Sequence, residues 1–228
     1  MLDLQPIAVM LDFDGPVCSV FARYSAAAVT RDLVRLASAA GLPRLGDLAT
    51  DDPLEVVRFA SVVGLSNSEL EWLDSVLTAL EVKAVAVAEP TEGARQLIET
   101  LLEEGLPMAI VSNNSEACVR LYWSTHELPD VPVVGRPKGL PHLMKPRPHL
   151  LLEACHLLGV APTRAVMIGD SVTDIEAASA AGAMSIGYAN KPGKAARLRS
   201  AGASAVVSSI WDAARLLICD QGEADQLR

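Results

Sequence analysis

Short apolar runs alternate with segments of helical periodicity along most of this chain. The apolar runs are continuous, which is typical of strands buried on both faces of a parallel sheet. The predicted strands are 7–11, 107–112, 131–134, 165–169, 184–187 and 205–207. The predicted helices between them are 92–104, 115–126, 148–158, 172–181, 192–200 and 210–218. This alternation predicts an α/β fold in which helices cover a parallel sheet.

The segment between about residues 21 and 88 breaks the alternation. It contains no predicted strand, and its helix-like stretches are 22–40, 53–63 and 67–87. Two of them carry helix-start signals, since Asp52 precedes a proline and Ser66 stands three residues before a glutamate. Residues 81–90 also alternate weakly, as a strand would, but a helix is favoured there. An all-helical block after the first strand predicts an inserted subdomain.

Composition narrows the class of protein. Half of the 228 residues are hydrophobic and 21% are charged, so the chain can bury a sizeable core as one domain with an insertion. The formal net charge of −9 argues against nucleic-acid binding, which needs a basic surface. An anionic substrate must therefore be bound at a locally basic site.

Cysteine spacing and hydropathy bear on the compartment. Four cysteines form no ligand or redox pattern and predict buried free thiols: Cys18, Cys118, Cys155 and Cys219. No apolar run approaches the roughly 20 residues that span a bilayer. The start of the chain lacks the basic region of a secretion signal. We expect a cytoplasmic protein without membrane contact.

Four groups of polar residues lie at the expected carboxyl edge of the sheet, where open parallel sheets bind ligands. They are Asp12-Phe13-Asp14-Gly15, Ser112-Asn113-Asn114, Lys145 and residues 169–174. Each group alone has a structural explanation, because acidic turns, helix caps and solvated loop lysines are all common. Their coincidence at one edge is what calls for a chemical interpretation.

Together the four groups favour phosphoryl transfer. Asp12, Asp14, Asp170 and Asp174 would repel one another at one edge unless a cation offset their charge. Mg²⁺ prefers oxygen ligands of this kind, and the serine hydroxyl, helix amides and lysine would bind phosphate. A metal, a phosphate site and a carboxylate that is free to attack predict phosphoryl-transfer chemistry.

The four groups also resemble, in the same order, the motifs of the haloacid dehalogenase superfamily, specifically its Mg²⁺-dependent phosphatases with a helical cap. The matching residues are DFDG at 12–15, Ser112, Lys145 and GDSVTD at 169–174. The resemblance covers essentially the whole chain. It implies a Rossmann-like three-layer core formed by residues 1–17 and 89–228, with an all-helical cap inserted at 18–88.

The resemblance implies a reaction as well as a fold. Asp12 is the expected nucleophile, which forms an aspartyl-phosphate with a small phosphomonoester. Asp14 is the expected acid for the leaving alcohol and the expected base for the hydrolytic water. The spacing suits these roles, because residues i and i+2 of an extended chain point to the same side.

The metal and phosphate sites are implied by the same resemblance. The expected Mg²⁺ ligands are the Asp12 carboxylate, the Asp14 backbone carbonyl and Asp170. The expected phosphate ligands are Ser112, Lys145 and the backbone amide of Asn113. Asp174 is expected to act through water or by orienting the lysine.

The chain departs from this family just after its first motif. Pro16-Val17-Cys18-Ser19 stands where relatives often read Thr-Leu-x-Asp, which puts the substrate in doubt but not the phosphoryl chemistry. Arg23, the nearest cap arginine, is the candidate contact for a second anionic group. The expected partner is a small phosphorylated metabolite, of the phosphoglycolate or sugar-phosphate type, bound by a monomer or homodimer.

Other activities of the same fold stay open. A phosphomutase would keep all four groups. A phosphonatase would need a cap lysine, and Lys83 is the only lysine between residues 18 and 88. A non-catalytic binding protein would be expected to lose Asp12 or Asp14 first. A dehalogenase is disfavoured, because that branch uses only the first carboxylate and no metal.

Overall fold

The computed structural model of the protein describes residues 8–225, apart from the side chains of Pro43 and of residues 219–225. In chain order its helices and strands are β1 (Ala8–Leu11), β2 (Cys18–Ser19), α1 (Ala26–Ala39), α2 (Pro53–Val62), α3 (Asn67–Val85), β3 (Glu89–Pro90), α4 (Ala94–Glu103), β4 (Met108–Val111), α5 (Glu116–Thr125), β5 (Val133–Val134), α6 (His149–Leu158), β6 (Ala165–Gly169), α7 (Val172–Ala181), β7 (Met184–Tyr188), α8 (Lys194–Ser200), β8 (Ala205–Val207) and α9 (Ile210–Asp225).

Six strands form one sheet in the order β5-β4-β1-β6-β7-β8, and every neighbouring pair is parallel. This confirms the predicted α/β fold. All six predicted strands are present, and the residue at which the first was expected to begin, Ile7, lies outside the described residues.

Helices cover both faces of this sheet, and the side chains of β1 show why. Val9 and Leu11 point into a large apolar cluster with side chains of α4, α5 and α9. Met10 points the opposite way, into a second cluster with side chains of α6 and α7. A strand whose alternate residues all meet apolar neighbours must be apolar throughout, as the sequence of β1 is.

The helices α1, α2 and α3 follow one another between β2 and β3 and share a third apolar cluster, which includes Leu33, Val57 and Leu77. The predicted helix starts are confirmed, since Asp52 and Ser66 cap α2 and α3 through their side chains. The last of these helices ends at Val85, two residues earlier than expected. The boundaries of the predicted cap, 18–88, stay a prediction.

The strands β2 and β3 pair with each other in antiparallel fashion outside the main sheet, with Cys18 opposite Pro90 and Ser19 opposite Glu89. The hydroxyl of Thr91 donates to the carbonyl of Gly15 at 2.6 Å, which adds a second contact between the two segments that connect the sheet with the helices α1–α3. The chain therefore enters and leaves the helical segment side by side.

Two further expectations concern the whole chain. Among the described residues, no helix is both long and apolar enough to cross a membrane. Cys18, Cys118 and Cys155 are buried free thiols, as predicted, and the side chain of Cys219 lies outside the described residues.

Candidate active site

The ends of β4, β1 and β6 bring the predicted site residues to one edge. Leu11 is in register with Ile110 on one side and Ile168 on the other, so the strands end level with each other. The amide of Asp12 continues the pairing by donating to the Ile168 carbonyl at 2.9 Å. Ser112 follows β4 and Asp170 follows β6 at the same edge. The register thus accounts for the convergence that was predicted.

A tight turn after Asp12 positions Asp14 and makes room for Asp170. Asp14 accepts a hydrogen bond from the Val20 amide at 2.9 Å, which fixes one carboxylate oxygen. Gly15 has φ +111°, and a Cβ there would collide with the carboxylate of Asp170. Only glycine satisfies both the backbone conformation and the close approach.

Lys145 lies at the centre of the site with 2% of its surface exposed. Its ammonium is 2.8 Å from Asp12 Oδ1 and 2.6 Å from Asp174 Oδ1, and it donates to the Val111 carbonyl at 2.9 Å. Burial lowers the pKa of the lysine, but the carboxylates of Asp12 and Asp174 more than offset this and raise the pKa above its usual value. The lysine is therefore a fixed positive charge beside the expected nucleophile.

Asn113 holds the backbone of Lys145 through two hydrogen bonds. The side-chain amide nitrogen of Asn113 donates to the Lys145 carbonyl at 3.1 Å, and its oxygen accepts from the Lys145 amide at 2.9 Å. The loop after β4 and the lysine are thereby locked together, so a shift of one moves the other.

The two acids of the first motif have raised pKa values. Burial, and next the negative charge of Asp174, raises the pKa of Asp12 to about 8, while Lys145 opposes the shift. Burial raises the pKa of Asp14 to about 6, against the hydrogen bond from Val20. The two carboxyl groups thus differ in environment, as a division of labour between them requires.

Asp174 is fully buried and points back at the start of its own helix. Its Oδ2 accepts from the amide of Ser171 at 3.0 Å and from the Ser171 hydroxyl at 2.7 Å, which forms a capping box for α7. Its Oδ1 faces the ammonium of Lys145. This geometry is consistent with the expected orienting role of Asp174.

Two residues of the site were not found from the sequence. Asn190 donates to Asp170 Oδ2 at 2.9 Å, and Lys194 forms an ion pair with the same oxygen. Both follow β7, whose carboxyl end lies at the same edge as those of β1 and β6. The strand-end rule that identified Asp12 and Asp170 would also have identified this loop.

Three carboxylates are grouped closely enough to hold a metal ion. One oxygen each from Asp12, Asp170 and Asp174 lies within 4.8 Å of the others. A donor set made entirely of carboxylate oxygens suits a hard divalent cation such as Mg²⁺. The residues present therefore fit the metal that the sequence predicts.

A cavity of about 650 Å³ opens onto this cluster and extends under the helical segment. From the sheet edge it is lined by Asp12, Asp14, Ser112, Asn113, Asn114, Lys145, Asp170, Ser171, Thr173 and Asp174. From the helical segment and the turn before it, the lining residues are Phe21, Ala26, Thr50, Asp51, Asp52, Pro53, Leu54, Glu55 and Arg58. All seven residues with predicted catalytic, phosphate or metal roles thus line one cavity.

Arg23, the predicted contact for a second anionic group, is not among the lining residues. It lies on the surface and pairs with Glu89 at 3.2 Å. Arg58 lines the cavity instead, where it donates to the Lys145 carbonyl at 3.1 Å and pairs with Glu55 at 2.7 Å. Lys83 lies over the ring of Tyr24, 4.5 Å from its centre, and also does not line the cavity.

Comparison with known proteins gives a matching family and two phosphatase relatives. A family model described as haloacid dehalogenase-like hydrolase matches residues 8–182. A phosphoglycolate phosphatase of Pseudomonas putida is 30% identical over 192 residues, which cover 80% of this chain and 69% of that enzyme. An N-acetylmuramic acid 6-phosphate phosphatase of Pseudomonas aeruginosa is 27% identical over 186 residues, 77% of this chain and 78% of that one.

A solved structure shares the fold along nearly the whole chain. The crystal structure of CbbY from Rhodobacter sphaeroides in complex with phosphate superposes with a TM-score of 0.64 at 20% identity. The match covers 90% of this chain and 95% of that one.

Proposed function

The chain belongs to the haloacid dehalogenase-like hydrolases, and on that premise we propose that it is a Mg²⁺-dependent phosphatase that hydrolyses a small phosphomonoester through an aspartyl-phosphate on Asp12. One observation carries the proposal. The buried ammonium of Lys145 pairs with both Asp12 and Asp174 in the cavity that also contains Asp14, Ser112 and Asp170. The phosphatase names of two relatives support the same reaction.

The metal site would use the Asp12 carboxylate, the Asp14 backbone carbonyl and Asp170. Asp174 is less suited to direct ligation, because its oxygens already face Lys145 and Ser171. When bound, Mg²⁺ supplies positive charge that draws the phosphate oxygens in and offsets their negative charge. Asn190 and Lys194 both contact Oδ2 of Asp170, which fixes this carboxylate beside Asp12 and Asp174.

The reaction needs two displacements at phosphorus. A carboxylate oxygen of Asp12 attacks, the bond from phosphorus to the leaving oxygen breaks, and Asp14 gives its proton to that oxygen. Asp14 then takes a proton from a water whose oxygen attacks the phosphorus, which breaks the bond to Asp12 and releases inorganic phosphate. Lys145 and Ser112 bind the phosphate oxygens, with the Asn113 amide beside them. The raised pKa of Asp14 suits a group that must carry a proton in one step.

The cavity favours one of the two expected substrate types. On the side of the helical segment its charged lining residues are Asp51, Asp52, Glu55 and Arg58, and the arginine is already paired with the glutamate. This acidic rim opposes a second anionic group such as a carboxylate. Carboxylates are good hydrogen-bond acceptors for hydroxyl groups. We therefore infer a hydroxyl-rich leaving group, of the sugar-phosphate type rather than phosphoglycolate.

Residues 18–88 would act as the cap that encloses this leaving group. The cap residues Thr50, Asp52, Leu54 and Arg58 face the cavity, which supports that role. A phosphonatase mechanism gains no support, since Lys83 lies outside the cavity lining. A cytoplasmic location and a monomeric or homodimeric state stay predictions.

The test is release of inorganic phosphate by the purified protein from p-nitrophenyl phosphate and from a panel of sugar phosphates, with phosphoglycolate included. We expect turnover that EDTA abolishes and Mg²⁺ restores. Replacing Asp12 with Asn should lower kcat by more than about 10³-fold, as expected for loss of a nucleophile. Asp130→Asn, an exposed aspartate that does not line the cavity, is the matched control and should retain turnover. No release from any phosphoester, or full activity in Asp12→Asn, would refute the proposal.

A further inference from the structure

A second group of buried charges lies between α3 and the loop that follows β5. Arg136 pairs with Asp74 at 2.6 Å and with Glu81 at 2.8 Å, and the side chains of Arg136 and Glu81 are completely buried. Asp74 and Glu81 are seven residues apart on α3, so both lie on one face of that helix. We refer to these three residues as the Arg136 network.

Stability alone does not account for such a network. Removing charges from water is costly, and apolar side chains of similar volume often fill such a position equally well. The contacts that the network makes with its surroundings therefore indicate its role.

Those contacts converge on the loop Ser112–Ser115, where the proposed phosphate ligands lie. Glu81 accepts hydrogen bonds from the Ser115 amide at 3.0 Å and from the Asn114 side chain at 3.1 Å. Arg136 donates to the carbonyl of Asn113 at 2.9 Å. The cap helix α3 and Arg136 thus hold three successive residues of the loop.

The backbone of the β5 loop reinforces this hold. The amide of Arg136 donates to the carbonyl of Asn114 at 2.9 Å. A Cβ on Gly135 would lie 2.5 Å from the amide nitrogen of Glu116. Only glycine allows the β5 loop to lie this close to the start of α5.

The contacts continue from this loop to the nucleophile. Asn113 binds the backbone of Lys145 through its two side-chain hydrogen bonds, and the ammonium of Lys145 lies 2.8 Å from Asp12. An unbroken series of hydrogen bonds therefore joins Glu81, in the cap, to Asp12, in the core.

We propose that Glu81 and Arg136 are positioning residues for the phosphate site, which makes α3 part of that site as well as part of the cap. They hold the loop Ser112–Ser115, and through Asn113 they set the position of Lys145 against Asp12. Asp74 only holds the arginine, because its contact within the network is with Arg136. This proposal rests on the proposed phosphatase function.

The test compares Glu81→Gln with Asp74→Asn. Both substitutions remove one negative charge from the same buried network, but only Glu81 contacts the loop. In Glu81→Gln the new amide nitrogen must face a donor, since Ser115, Asn114 and Arg136 all donate to this side chain. Three measurements apply. The first is the melting temperature, and the second is steady-state kinetics with Mg²⁺ and p-nitrophenyl phosphate, which gives KM and the inhibition constant of inorganic phosphate. The third is amide hydrogen exchange of residues 112–115.

We expect both variants to melt at lower temperature. Glu81→Gln should in addition raise KM and the phosphate inhibition constant at least about tenfold, since small misplacements of binding groups cost this much or more. Its Ser115 amide should exchange at least about tenfold faster. Asp74→Asn should leave both constants and the exchange within about twofold. Equal changes in the two variants, or an unchanged KM in Glu81→Gln, would overturn the proposal.

A triple variant covers the case in which the single variants do not fold. Asp74→Leu, Glu81→Met and Arg136→Met together replace the network with apolar side chains, which should restore the melting temperature. The phosphate inhibition constant should stay raised, and wild-type constants in this folded variant would refute positioning. A wild-type protein without turnover would refute the phosphatase function instead, while amide exchange would still test the network.

Discussion

Lys145→Met removes the positive charge on which the proposed site depends. In the wild type this ammonium lies against Asp12 and Asp174 with almost no exposure to water. Methionine fills a similar volume but leaves the two carboxylates without their partner. A buried charge that loses its partner keeps its desolvation cost and gains nothing in return.

The magnitude follows from burial. Breaking a buried pair by removing one partner costs about 3–5 kcal/mol of unfolding free energy. For a chain of 228 residues, this corresponds to a fall of about 6–20 °C in melting temperature. Between the unfolded pKa of about 3.9 and about pH 8, a protonated Asp12 costs the folded wild type and the folded variant equally, so the loss should not change with pH there. The loss should grow as pH rises above about 8, because Asp12 then ionises in the folded wild type, while removal of Lys145 raises the pKa of Asp12 further in the variant.

Thermal unfolding in EDTA at pH 7 and pH 9.5, then with Mg²⁺, measures these effects. Mg²⁺ should narrow the gap between variant and wild type, since a bound cation replaces part of the missing charge. Lys191→Met, an exposed lysine near the site, is the control and should change stability by no more than about 0.5 kcal/mol. A loss below about 1 kcal/mol in EDTA at pH 9.5, or a loss larger at pH 7 than at pH 9.5, would show that the ion pairs do not act as described.

Two further substitutions test the cavity and the metal site. Arg58→Ala should raise KM about tenfold with a smaller change in kcat, because Arg58 lines the cavity. The sequence-based hypothesis instead predicts a raised KM for Arg23→Ala, so steady-state kinetics of both variants decides between the two arginines. A raised KM in Arg23→Ala alone would contradict the structural assignment. Gly15→Ala should weaken Mg²⁺ binding, measured by calorimetry, at least about tenfold, because the new Cβ displaces Asp170. Gly41→Ala, at a glycine with φ +90° and open space around it, is the control for backbone strain. Equal Mg²⁺ affinities in the two variants would refute the reasoning.

The parallel sheet and its carboxyl edge could be predicted because both are encoded locally. The continuous apolar run of β1 gives the strand, and Asp12, the first polar residue after it, marks the edge. The same argument gave Ser112 and Asp170. Once the strands are parallel and adjacent, these residues have to meet.

The Arg136 network could not be predicted in this way. Arg136 follows a two-residue strand in a loop rich in glycine and proline, where a lone arginine is ordinarily solvated. Its partners, Asp74 and Glu81, precede it by 62 and 55 residues. Only the packing of α3 against the core brings them together, and no local periodicity specifies that packing.

Which arginine of the helical segment lines the cavity could not be predicted for a similar reason, and the binding role predicted for Arg23 stays a prediction. Arg23 is the nearest of them in sequence to the first motif, but it lies on the surface beside Glu89. Arg58 is much farther along the chain and reaches the carbonyl of Lys145, because α2 packs across the cavity. Distance along the chain was a poor guide to which arginine lines the cavity.

The pairing of β2 with β3 has a consequence for engineering. Because the chain leaves and rejoins the core at adjacent residues, Ser19 and Glu89, a different helical module could be grafted there without altering the sheet. The graft would succeed only if its last helix presented acceptors where Asp74 and Glu81 stand, two turns apart on one face. Without them Arg136 would remain buried and uncompensated. Arg136 in the core thus limits which helical modules can replace α1–α3 at this junction.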